Sequence, residues 1–128
     1  MSAASDYLEN KVLDHTLATT AYTAPSAVYV GLYTSSPGDD DSGTEVSGGS
    51  YARQAGSFAA ASGGSASTDA TITFPAATAN WGTITHISIH DASSAGNLLY
   101  HGAVTTSKTI ESGDTFQISS GNLTITLA

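Results

Sequence analysis

A chain of 128 residues has the usual size of one folding unit and can bury about two-thirds of its unfolded surface without help from a metal or a disulfide. It contains no cysteine, which excludes disulfide frameworks, thiolate zinc sites and cysteine nucleophiles. Eleven carboxylates against three cations give a formal net charge of −8, so the basic stripe needed for nucleic-acid binding is missing and anionic membrane surfaces are disfavoured.

The N-terminus has no cationic region followed by an apolar stretch, and no run approaches the ~20 apolar residues that span a bilayer, so a soluble chain is expected. Residues 6–18 read as the one helix, with Asp6 as N-cap and Glu9 three positions on. Leu8 and Val12, then Leu13 and Leu17, recur at i,i+4, an apolar stripe predicted to pack on a sheet or on a neighbouring subunit. Pro25 disfavours helix at Ala24.

Residues 27–34 form the clearest strand. Val28, Val30 and Leu32 alternate with Tyr29, Gly31 and Tyr33, and two apolar or aromatic faces predict a central position. Residues 35–49 make a long loop carrying Pro37, the run Asp39, Asp40 and Asp41, and several glycines; loops of this length tend to be functional or mobile. A second strand over 51–59 is weakened by Gly56, and a small, polar loop follows over 60–68. Residues 69–74 alternate with Ala70, Ile72 and Phe74 inward, and a connection then leads to Trp81.

Residues 83–90 and 98–104 read as a hairpin about a turn at 91–97, with Ile84 on the face opposite Ile87 and Ile89. Residues 105–110 read as a linker or edge strand. Short strands with Phe116 and Ile118, then Leu123, Ile125 and Leu127, close the chain. The predicted fold is one mainly β domain over the whole chain: an antiparallel β-sandwich or open barrel with one N-terminal α-helix and long Gly/Ser/Asp-rich loops.

Four features invite a site. Asp39, Asp41 and Glu45 offer oxygens at alternating positions, but the glycine, terminal glutamate and flanking helices of an EF-hand are missing. The loop therefore reads as solvated and mobile, with Asp39, Asp40 and Asp41 set to meet a basic patch on a neighbouring subunit. His86 and His90 share a strand face roughly 13 Å apart, too far to ligate one metal; His101 can approach one of them across the hairpin, and a cross-strand polar pair is expected. No Gly-x-Ser-x-Gly elbow and no P-loop occurs, so no enzyme is expected, and no cofactor or metal site. Trp81 reads as a core or interface anchor, with sugar stacking as the sharper alternative. Arg53, one of three cations, follows Gly48 and Gly49, whose turn is expected to use positive φ. It is expected to pin loop or subunit through a carboxylate or a backbone carbonyl.

Several segments occur together in order: residues 5–10, the strand at 28–34 and residues 43–54, then Phe74-Pro75 with Trp81-Gly82-Thr83, the 91–99 turn, residues 112–116 and residues 123–125. In this the chain resembles a family of small bacteriophage virion structural proteins often labelled phage tail-fibre or phage structural protein. The resemblance implies a non-enzymatic component of the virion exterior, on head or tail, assembled in the host cytoplasm. On this footing the expected role is a capsid decoration or cement protein that bridges major capsid protein subunits, as a homo-oligomer such as a trimer. The alternative is a tail-associated or tail-fibre protein contacting tail proteins and host-surface glycans. The residues expected at its interfaces are Leu8, Val12, Asp39, Asp40, Asp41, Glu45, Arg53 and Trp81.

Overall fold

The computed structural model describes residues 2–127. In chain order the elements are β1 (Ser2–Ala4), α1 (Asp6–Thr16), β2 (Val28–Tyr33), β3 (Gln54–Gly56), β4 (Ser65–Ser67) and β5 (Ile72–Thr73). The second half adds β6 (Gly82–His90), β7 (Leu98–Ile110), β8 (Gln117–Ile118) and β9 (Thr124–Thr126). Five strands form one antiparallel sheet in the order β1-β7-β6-β2-β3, and two ribbons, β4 with β9 and β5 with β8, stand apart from it. The fold is mainly β with one helix near the N-terminus, and the sheet does not close into a barrel.

β2 lies between β6 and β3, as its two apolar faces predict. Val30 and Leu32 pair with Ile89 and Ile87 and are fully buried. The core formed on that face also takes Ile72, Phe74, Ile118 and Ile110 from the ribbons and from the end of β7. On the opposite face Tyr29, Gly31 and Tyr33 pair with His90, Ser88 and His86.

The helix is capped by Ser5, one residue earlier than the sequence suggests. Its Oγ accepts the Leu8 N–H at 3.2 Å and donates to the Leu98 carbonyl, so the cap also ties α1 to β7. Asp6 and Glu9 instead occupy the first turn, where the helix dipole favours them. The apolar stripe splits. Leu8 is buried and Val12 half-buried, whereas Leu13 and Leu17 are 53% and 77% exposed, because only the start of this short helix rests on the sheet.

Other elements differ from their sequence-based bounds. The strand expected at 51–59 contracts to β3, because Tyr51 turns its ring onto Phe74 and Trp81. The 69–74 strand contracts to β5 and leaves Ala70 exposed, while the expected loop at 60–68 contributes β4. Residues 105–110 continue β7, paired with β6 through Ile110. Ile84 joins the same core as Ile89, since the register shift between Ile84 and His86 resets the alternation along β6.

Candidate functional site

The segment from Thr44 to Val46 extends the sheet beside the upper half of β2. Thr34 N–H donates to the Thr44 carbonyl and Val46 N–H to the Leu32 carbonyl, both at 3.0 Å. β3 covers the lower half, through Val30↔Gln54. In the gap between them the Tyr51 hydroxyl accepts the Leu32 N–H at 3.0 Å, standing in for a missing strand rung. The same hydroxyl donates to Glu45 Oε2 at 2.6 Å.

Arg53 closes the cluster. Its Nε donates to Glu45 Oε2 at 2.8 Å and its Nη2 to Oε1 at 2.9 Å, a forked pair. Nη1 donates to the carbonyls of Ala92 and Ala95 at 3.0 and 2.8 Å. The guanidinium therefore joins the long loop to the β6–β7 turn, and its side chain is only 7% exposed. That turn is itself held by Asp91, which accepts the Asn97 backbone N–H at 2.7 Å and its amide at 3.0 Å. Burial pushes the Glu45 carboxyl up, but the hydrogen bonds from Arg53 and Tyr51 and the Arg53 charge outweigh it and hold the group below the ordinary range. Burial pushes Tyr51 and Tyr33 upward, reinforced by Glu45 and Asp41 respectively.

Two glycines make room for this arrangement. A Cβ on Gly31 would lie 2.5 Å from Ser88 Oγ and 3.0 Å from Glu45 Oε2, so only glycine lets the carboxylate settle over β2. Gly49 has φ +58, and a Cβ there would lie 2.9 Å from Trp81 Nε1; that indole N–H donates to the Gly49 carbonyl at 2.9 Å.

The aspartate run folds inward over the polar face. Asp41 accepts the Tyr33 hydroxyl on Oδ1 at 2.6 Å, and its Oδ2 lies 3.1 Å from His90 Nε2. His90 Nδ1 lies 3.0 Å from Ser88 Oγ, and its ring stacks on Tyr33 with centroids 6.3 Å apart. Asp39 Oδ1 sits 2.8 Å from His101 Nε2, and the Asp39 carbonyl accepts the Asp6 N–H at 3.0 Å. Asp40 alone serves its own turn, accepting the Ser42 N–H at 3.2 Å.

The residues singled out from sequence thus separate. Asp41, Glu45 and Arg53 belong to one polar layer on β2 and β6, and Asp39 ties the same loop to β7. The oxygens of Asp39, Asp41 and Glu45 point at His101, at Tyr33 with His90, and at Arg53, so they do not converge as a calcium loop would. All three aspartates are exposed, as expected of a solvated loop, yet two of them are also engaged within the chain. Leu8 and Trp81 lie in the chain's own core at 5% and 6% exposure, which removes both as surface contacts and Trp81 as a sugar-stacking platform. His86 and His90 take separate partners, Thr85 Oγ1 for His86 at 2.8 Å, and His101 turns to Asp39 rather than to either.

The carboxylates of Asp6, Glu9 and Asp39 come within 4.8 Å of one another, all exposed, and no further ligand marks them as a cation site. Tyr33, Tyr51 and Ser88 were not among the candidate residues, and His90 was one only through its spacing from His86. Their signal was the polar alternation of Ser88 and His90 in a strand otherwise built of isoleucine and threonine. The succession Ser88, His90, Asp41 has the members of a hydrolytic triad, but Ser88 and His90 are 0% exposed and the serine meets Nδ1. The constellation binds a loop down and leaves no approach for a substrate.

The polar residues of this β-rich chain tie its own loops to the sheet. The profile of the podophage GP4 fiber I protein gp80 family matches residues 3–126, and the chain belongs to that family. No individually curated protein matches it. Membership makes the chain a phage structural protein and a virion component. Among the described residues no helix is long and apolar enough to cross a membrane.

Proposed function

We propose that the protein is a non-enzymatic component of a podophage tail fibre, working by assembly with other tail proteins and with copies of itself. The observation that carries this reading is the fibre-family match over residues 3–126. It favours the fibre alternative over the head-decoration role expected from the sequence. The closed polar layer around His90 fits a load-carrying role, since each of its groups already has a partner within the chain. The exposed pair Leu13 on α1 and Leu17 at its C-cap, rather than Leu8, offers apolar surface for a subunit contact. The test is copy number by quantitative mass spectrometry on whole virions and on isolated tails. A dozen or so copies that travel with the tails are expected; hundreds of copies that stay with the heads would restore the decoration reading and refute this one.

A further inference from the structure

β1 and α1 form a piece that grips the body at one end and stands away from it at the other. β1 pairs with β7 in the register Ser2↔Gly102, Ala3↔His101 and Ala4↔Tyr100. Ser2 Oγ also accepts the Thr126 N–H at 2.9 Å. The Ser5 N–H donates to the Leu99 carbonyl at 2.9 Å, and the Asp6 N–H to the Asp39 carbonyl at 3.0 Å. With the buried Leu8, these contacts all fall within residues 2–8. Past Leu8 only Val12 is half-buried before Tyr22, and residues 13–21 are exposed throughout.

The turn that brings the chain back from α1 is strained. The Ala18 and Thr20 N–H groups both donate to the Asp14 carbonyl, at 3.1 and 3.0 Å, and Thr19 between them has φ +55. Glycine is the usual residue in this left-handed conformation after a helix, and a β-branched side chain is poorly suited to it. The Tyr22 N–H donates to His15 Nδ1 at 3.1 Å and completes the fold-back. Beside this turn lie Leu13 and Leu17, four residues apart on one face and 53% and 77% exposed. A strained hinge invites exchange of the element it carries, and apolar side chains left in water next to it supply a contact for the opened form.

We infer that β1 and α1 exchange between two copies of this chain, with residues 17–21 as the hinge. Opening returns Thr19 to negative φ and carries β1 and α1 away as one piece. The slot between β7 and Thr126 then takes the same piece from a second copy. The partner needs no new chemistry, because its β1, Ser5 and Leu8 restore the contacts that the first copy's own residues gave up. The two hinges run past each other at the two-fold axis, where Leu13 and Leu17 of one copy meet those of the other. The exchange rests on the self-assembly reading above, since a high local concentration of copies makes the contact between chains competitive with the contact within one.

The chain has no cysteine of its own, so single cysteines report which copy's β1 lies on β7. Ala3 and His101 are directly opposed in an antiparallel pair, a separation that a disulfide can bridge. Chains carrying Ala3→Cys and chains carrying His101→Cys are co-expressed, concentrated and oxidised, with each variant alone as background. A disulfide joining position 3 of one chain to position 101 of another is expected, in a species that light scattering sizes as a dimer. Thr19→Gly should raise the dimer's dissociation constant at least about tenfold, because each dimer opens two hinges and glycine relieves strain in the closed form alone. Dimers that lack this cross-link, or that are indifferent to Thr19→Gly, would overturn the exchange and leave self-assembly standing. Monomers alone at millimolar concentration would overturn the exchange together with self-assembly of the isolated chain, while copy number on tails still decides the fibre reading.

Discussion

On one face of β2, Val30 and Leu32 are sealed against Ile89 and the surrounding core; on the other, Gly31 and Tyr33 lie beneath a carboxylate, a tyrosine hydroxyl and a stacked histidine. The first face is fully closed, the second keeps its carboxylates partly in water, and the two hold by different physics. Apolar burial is non-directional, so the first face asks only for volume and shape. The second is directional: each polar atom needs a named partner, and among the described residues no buried side-chain nitrogen or oxygen lacks one. The apolar face holds the sheet to its ribbons. The polar face decides where a long loop lies.

The largest effect should come from the apolar face. Leu32→Ala empties a fully buried site and should destabilise the fold by about 2–5 kcal/mol in urea unfolding. A loss below about 1 kcal/mol would mean that the ribbons do not close on this face as described. Next comes Arg53→Ala, which strands Glu45 and two carbonyls and should remove about 2–3 kcal/mol, towards the lower end for a broken pair because Glu45 keeps 23% exposure. Arg53→Lys should recover less than half of that loss, since an ammonium cannot fork across both Glu45 oxygens and still reach Ala92 and Ala95. Full recovery by lysine would show that charge alone, without direction, holds the loop.

Tyr51→Phe should have a smaller effect, about 1–2 kcal/mol. The ring keeps its stacking on Phe74 and its edge contact with Trp81, while the Leu32 N–H and Glu45 Oε2 lose a partner. Combined with Glu45→Gln the losses should fall short of their sum, as expected for groups in one network. Strict additivity would separate the hydroxyl from the carboxylate.

The asymmetry between the faces also governs how much could be read from the chain. Val28, Val30 and Leu32 announce a central strand by period alone, and the Asp91–Asn97 turn follows from its composition. Gly48 and Gly49 gave away the tight entry to the Tyr51 segment, and both have positive φ. The polar face was nearly illegible because its partners lie far apart in sequence: Asp41 meets His90 across 49 residues and Arg53 reaches Ala95 across 42. A run of three aspartates gives no sign of the histidines that two of them meet. The wide bulge in β7 was invisible for a different reason, since Val104 to Ser107 has ordinary strand propensity and only the β6 register exposes the extra residues.

The smallest effect, and the one most specific to the polar face, is the dependence of stability on pH. Burial raises the Glu45 carboxyl, but Arg53 and Tyr51 pull it further down, so its folded pKa lies below its unfolded one. The folded state thus binds this proton less readily than the unfolded chain. Its contribution is present above the unfolded value of about 4.3 and is lost as pH falls through the folded value. Asp91 behaves alike: burial opposes the shift and the Asn97 hydrogen bonds prevail. Tyr33 and Tyr51 have the opposite sense, raised by burial and by their carboxylate partners, so their contribution is present below about pH 10 and is lost as pH climbs above it. Burial and then the nearby His101 lower His86, so its contribution starts to be lost below the unfolded value of about 6.5. Melting temperature should therefore be level between about pH 7 and pH 10 and fall on both sides. Glu45→Gln should flatten the acid limb and leave most of the alkaline one, where Tyr33 still faces Asp41, whereas Leu32→Ala should lower the whole curve without changing its shape. An acid limb equally steep in Glu45→Gln would assign it to carboxylates outside this layer, and the polar face would then contribute position without titratable stability.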